Sequence, residues 1–115
     1  MWHVVTVEEF DNWFLLLTEE EQIDVLSYVK LLEVYGPNLG RPYADSIEGA
    51  KQVKNLKELR VQHRGRPYRV FFAFDPKRRA VLLCGGDKTG DNRFYKKMIS
   101  IAEREFLHHL VGESE

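Results

Sequence analysis

Between residues 56 and 86 the chain carries three strand-forming segments in succession, "LKELRVQHR", "PYRVFFAFD" and "RAVLLCGG", separated only by the breaks "RGRP" and "DPKRR". The first alternates Leu56, Glu58, Arg60 and Gln62 against Lys57, Leu59, Val61 and His63, so the two sets lie on opposite faces of a strand. The second is dense in aromatic and β-branched residues, and the third is a nearly continuous apolar run. The Gly, Pro and Asp residues of the breaks supply turn chemistry, so an antiparallel meander is expected.

Around this sheet the pattern predicts helices. "WHVVTV" (2–7) reads as a first strand and "EEFDNWFLLL" as a short helix carrying Phe10, Trp13, Phe14 and Leu17. In "TEEEQIDVLSYVKLLEVYG", Thr18 and Glu21 have the spacing of a capping box, and three acids in the first turn suit the helix dipole. Val25, Tyr28, Val29, Leu32 and Tyr35 recur at helical spacing, and Gly36-Pro37 ends the helix. "NLGRPYADSIEGAKQVKN" is expected as a loop from which Ile47 or Val53 docks on the core. Asp91 or Asn92 caps a last helix whose apolar face runs from Phe94 and Met98 to Phe106 and Leu110. The expected order is β-α-α-β-β-β-α: an α+β domain over residues 1–115, with a small antiparallel sheet packed by two N-terminal helices and a C-terminal helix.

No apolar run approaches the ~20 residues of a membrane span, and "MWHVVTVEEF" has no basic n-region ahead of an apolar stretch. A cytoplasmic protein without a membrane partner is expected. Cys84, the one cysteine, sits in an apolar run and reads as a small buried hydrophobe. The net charge is −1, but residues 57–97 hold twelve Lys and Arg against four acids, and the rest of the chain holds five against fourteen. Such segregation suggests a basic working surface on an acidic body.

The conspicuous stretch is "GGDKTGDNRFYKK" (85–97). It is not a phosphate-binding P-loop, because Lys88 precedes Gly90 and the G-x-x-x-x-G-K-[ST] spacing is absent. "DKTG" matches the phosphorylated aspartate of ion-pumping ATPases only by chance, in a chain of 115 residues with no membrane span. His3, His63, His108 and His109 form no i, i+4 pair and have no cysteine partner, so no metal or other cofactor is expected.

If the strands pair, Arg60 and Arg69 converge on one sheet face, and Lys88 meets Tyr95 in the first turn of the last helix. A cluster of guanidinium, ammonium, phenol and one carboxylate suits RNA cleavage by 2′-hydroxyl attack. Arginine's fork of donors stabilises a phosphorane, and a lysine crowded by cations has a depressed pKa suited to proton transfer. Tyrosine stacks on a base or orients the hydroxyl.

The series "FDNWFLLL", "YGPNLGRPYADSIEGAK", "LKELRV", "YRVFFAFDPKRRAVLLCGGDKTGDNRFYKK" and "AEREF" resembles the phage-derived Gp49-like, HigB-type toxins of the RelE/ParE superfamily, over roughly residues 2–110. The resemblance implies a ribosome-dependent mRNA endonuclease that needs no metal, neutralised by a HigA-like helix-turn-helix antitoxin. The same fold also serves ParE-like proteins that poison DNA gyrase without a nuclease site, and a noncatalytic nucleic-acid-binding module is a third reading. By similarity, Lys57, Arg60, Arg69, Lys88 and Tyr95 are the catalytic set, with Arg69 on the scissile phosphate and Lys88 on phosphate or the leaving oxygen. Where relatives carry further lysines on the "KELR" strand this chain has Glu58, so the general base stays open between Lys57, Glu58 and another group. Arg66, Arg93, Lys96 and Lys97 are expected RNA contacts.

Overall fold

The computed structural model describes residues 1–114. Three long antiparallel strands form its centre: β3 (Lys57–His63), β4 (Arg66–Phe74) and β5 (Ala80–Asp87). The earlier elements are β1 (Val4–Thr6), α1 (Glu8–Leu15), α2 (Glu19–Tyr35), a 3-10 turn at Gly36–Asn38 and β2 (Ala44–Ser46); α3 (Phe94–Ser114) is the last element described. The strand order is β1-β5-β4-β3-β2.

Two features depart from the expected small antiparallel sheet. The first strand runs parallel to β5, with Val4, Val5 and Thr6 opposite Ala80, Val81 and Leu82. Two helices separate β1 from the meander, so no tight turn obliges it to run antiparallel. The second departure is β2, inside the segment expected as loop. Ala, Asp and Ser form strands poorly by themselves. They pair because β3 offers an open edge: Asp45 lies opposite Glu58, the Arg60 N–H bonds the Tyr43 carbonyl at 2.8 Å, and the Ile47 N–H bonds the Leu56 carbonyl at 2.9 Å.

The sheet separates two apolar layers. Leu59, Val61, Tyr68, Val70, Phe72 and Leu82 pack with Phe10, Val25, Val29 and Leu32 of α1 and α2. Phe71, Ala73, Val81, Leu83 and Cys84 pack with Phe94, Met98, Ala102 and Phe106 of α3, and Val53 joins them. A bulge between Phe71 and Phe72 sends the consecutive residues Leu83 and Cys84 to the same layer. Burial pushes the Cys84 thiol well above its ordinary pKa, in keeping with a buried apolar role.

At the start of α2 the capping box forms as the spacing predicts: Thr18 Oγ1 accepts the Glu21 N–H at 3.2 Å, and Glu21 Oε1 accepts the Thr18 N–H at 2.7 Å. The other Glu21 oxygen accepts from the Tyr68 hydroxyl and from Arg66, tying the helix to β4. The Tyr68 bond, with those from Thr18, holds the Glu21 carboxyl down to about 2. Tyr35 is the one member of the expected α2 stripe that is exposed; the chain turns away there into the 3-10 segment.

Beyond the bulge, Gly85 and Gly86 let aromatic rings from both layers touch the backbone of β5. A Cβ on Gly85 would fall 2.4 Å from the Trp13 ring, and one on Gly86 would fall 2.9 Å from Phe94. Trp13 is hemmed in by Phe10 and Tyr68. Gly85→Ala is therefore expected to destabilise the protein by about 1–3 kcal/mol through overpacking, measured by urea unfolding. An unchanged midpoint would show that Trp13 moves freely.

Candidate functional site

Register brings the expected cations together. Arg60 and Arg69 are direct partners across β3 and β4, two residues beyond the Glu58–Phe71 pair and on the same face, the face covered by α3. Lys88 follows β5, where its N–H bonds the Pro67 carbonyl at 3.0 Å. Tyr95 stands in the first turn of α3, after Asp91 has taken the Arg93 N–H on its carboxylate at 2.9 Å.

Glu58 is the hub. Its carboxylate accepts the Tyr95 hydroxyl at 2.7 Å and Arg60 Nη1 at 3.1 Å, and Arg69 Nε lies 3.5 Å away. Two guanidiniums side by side would repel in so dry a place, and this one carboxylate between them makes the pair tolerable. Glu58 is only 4% exposed and Arg69 only 2%. Arg69 Nη1 donates to the Tyr68 carbonyl at 3.0 Å, whereas its buried Nε has no hydrogen-bond partner among the described residues.

Lys88 completes the group, its ammonium 5.5 Å from the centre of the Tyr95 ring. Burial lowers its pKa, the neighbouring Arg69 and Arg60 lower it further, and Glu58 opposes them. The Tyr95 phenol shifts upward, first through burial and then through its bond to Glu58. Tyr95 thus holds its proton toward Glu58, and the Lys88 ammonium releases its proton more readily than that of an ordinary lysine.

Beside these residues a concavity of about 530 Å³ opens, with Glu58, Arg60 and Tyr95 on one side and residues 41–48 on the other. Arg41 Nε donates to Asp45 at 2.8 Å, and Ser46 and Glu48 complete that wall. Arg41 and its hydrogen bond hold the Asp45 carboxyl below its ordinary range. The sequence predicts only a connection over this segment, and the wall forms because its residues pair with the β3 edge. Its one signal was the density of charged and polar side chains in "RPYADSIE".

Several expected residues lie elsewhere. Lys57 pairs with Phe72, so alternation puts it on the α2 face of the sheet, opposite to Glu58 and Arg60. Arg66 also belongs to that face; it bonds Glu21 at 3.2 Å, lies 3.6 Å from Asp87 and covers the Tyr68 ring. Lys97 is held by Asp91 at 2.9 Å. Arg93 and Lys96 are exposed on the chain that leads into α3 and on its first turn. Glu58, one of the groups open as general base, accepts from the Tyr95 hydroxyl and from Arg60 through its carboxylate.

Nor is the basic segment one bare surface. Arg64 pairs with Glu20, Arg66 with Glu21, and both Lys77 and Arg79 with Glu113, so the acidic helices neutralise much of it. Arg79 bonds the buried Asp75 at 2.6 Å. Burial opposes ionisation of Asp75, yet its bonds from Arg79 and His109 outweigh that and hold it down to about 2. The cations around Glu58 are distinct because, among the described residues, the carboxylate that Arg60 and Arg69 share is itself buried.

Comparison with known proteins places this geometry in context. The model of the family described as "Phage derived protein Gp49-like" matches residues 12–107. A Mycobacterium tuberculosis protein named as toxin HigB3 is 39% identical over 111 residues, covering 96% of this chain and 95% of its own length. A second protein of that organism, named as toxin HigB2, is 39% identical over 107 residues, which are 91% of this chain but 53% of the relative. Among solved structures, a mutant form of the E. coli toxin RelE in the free state superimposes with a TM-score of 0.62 at 9% identity, covering 90% of this chain and 97% of that one. That likeness concerns the fold alone.

Proposed function

From the premise that this chain belongs to the phage-derived Gp49-like family, which links it to the HigB and RelE toxins, we propose that it is a toxin that cleaves mRNA on the ribosome. The observation that carries this reading is the meeting of Arg60, Arg69, Lys88 and Tyr95 around one buried carboxylate, at the edge of an open concavity. Such a group offers two things that attack of a ribose 2′-hydroxyl on the adjacent phosphate demands, cationic donors for the charge that builds on the phosphorane and a proton for the departing 5′-oxygen, while the 2′-hydroxyl proton passes to water at the open concavity.

Arg60, partly exposed at the rim, takes a phosphate oxygen through its guanidinium fork. Arg69 lies beneath, and its positive charge acts from below while it keeps Lys88 ready to release its proton. Lys88 gives that proton to the 5′-oxygen. Tyr95, fixed by Glu58, offers a ring for a nucleobase to stack against. The partner implied is a helix-turn-helix antitoxin of the HigA kind, and action on ribosomes places the protein in the cytoplasm.

Inducible expression followed by mapping of transcript 5′ ends tests the reading. New ends at codons within translated messages are the expected result, together with arrest of protein synthesis. DNA-damage signalling without such ends would instead assign a gyrase-poisoning role and overturn the proposal.

A further inference from the structure

In "GGDKTGD" (85–91) Lys88 is flanked by Asp87 and Thr89, which the mechanism leaves unused. Asp87 ends β5 opposite Tyr68, and its carboxylate reaches forward past Lys88 to the next residue. Asp87 Oδ1 accepts the Thr89 N–H at 2.9 Å and the Thr89 hydroxyl at 2.6 Å, while Oδ2 lies 3.6 Å from Arg66 Nη1. Arg66 is held in turn by Glu21 in the first turn of α2 and lies over the Tyr68 ring.

The backbone of Lys88 is pinned on both sides. Its N–H bonds the Pro67 carbonyl at 3.0 Å, and its carbonyl accepts the Asp91 N–H at 3.2 Å, across a turn in which Gly90 takes a φ of +66°. The side chain has no such hold. Its ammonium lies 5.5 Å from the centre of the Tyr95 ring on α3 and makes no ion pair among the described residues. Arg69 of β4 and Arg60 and Glu58 of β3 are the charged groups that face it. A long, flexible stem separates the ammonium from the backbone, so the setting of its root decides where the proton is delivered.

We propose that Asp87 is a positioning residue for Lys88: its carboxylate, braced by Arg66, locks the turn that aims the ammonium at the cleavage point. The role rests on the RNA-cleaving reading, and Asp87 acts on the reaction only through Lys88. A misplacement of about 1 Å costs on the order of 10²-fold in rate, so the turn matters to the chemistry although its bonds are exposed.

The test compares the full chain with Asp87→Ala and Asp87→Asn. Single-turnover cleavage of ribosome-bound message gives the rate at saturation and the half-saturating protein concentration. NMR of isotope-labelled lysine side chains follows the titration of Lys88, and urea unfolding checks that the three proteins fold alike. Asp87→Ala is expected to lower the saturated rate by on the order of 10²-fold with half-saturation unmoved. Its Lys88 titration should shift upward, toward that of an ordinary lysine, as the ammonium leaves Arg69. Asp87→Asn, whose amide oxygen still accepts both Thr89 bonds, is expected to restore most of the rate and the original titration. Where the wild-type protein cuts, an unchanged rate or an unmoved titration in Asp87→Ala overturns the positioning role alone, and so does an Asp87→Asn protein as slow as Asp87→Ala. A wild-type protein that produces no cuts removes the cleavage reading and the role with it.

Discussion

Lys88→Met is expected to lower mRNA cleavage by about 10²–10⁴-fold, the usual contribution of one well-placed acid or base, while the protein unfolds at an unchanged denaturant concentration. The stability half of the statement follows from the surroundings. Lys88 follows the end of β5 and makes no ion pair among the described residues, so its removal strands no buried carboxylate. The activity half follows from its charge. Burial and the neighbouring Arg69 and Arg60 lower its pKa, so the ammonium form releases a proton more readily than an ordinary lysine. The rate should therefore fall as pH rises through that lowered value, because the protonated form is the one that serves the leaving oxygen. Lys88→Arg, which keeps the charge but does not titrate in the accessible range, should bind ribosomes normally and lose that alkaline limb. A Lys88→Met protein that cuts at the normal rate would remove Lys88 from the mechanism.

The second large effect is on folding. Glu58→Ala is expected to destabilise the protein by about 3–5 kcal/mol, the cost of breaking a buried ion pair from one side. Arg60 and Arg69 would remain adjacent across the strands with no carboxylate between them, and the Tyr95 hydroxyl would lose its acceptor. Chemical denaturation measures this directly. Glu58→Gln separates the positioning role from a proton-accepting one. The amide oxygen can still take the Tyr95 hydroxyl, so partial retention of cleavage with an unmoved pH profile is expected. Complete loss of cleavage by a protein that folds normally would restore Glu58 as the base.

Arg69→Ala is the less informative substitution for the same physical reason. A side chain with 2% exposure inside this ion cluster cannot be removed without disturbing Glu58, so loss of activity would mix chemistry with packing.

The chain itself announces a good deal of this. The strand segments, the Thr18–Glu21 cap and the last helix are legible because each is set by neighbours: alternation at two residues, recurrence at three or four, and a side chain returning to its own backbone. Phase along the strands was enough to place Arg60 and Arg69 on a common face, and the order of motifs sufficed for the family. β2 and the parallel placement of β1 were not legible, because each depends on an edge supplied by residues far along the chain. The same holds for the site. A tally of charges makes residues 57–97 basic, but only the packed sheet sets Arg66 against Glu21 of α2. Only there does Glu58 sink between two arginines, and only there do Arg41 and Asp45 become a wall of the concavity. Periodicity determined which side chains share a face; tertiary structure decided which charges survive unpaired, because ion pairing depends on distances of a few ångströms between groups that sequence leaves dozens of residues apart.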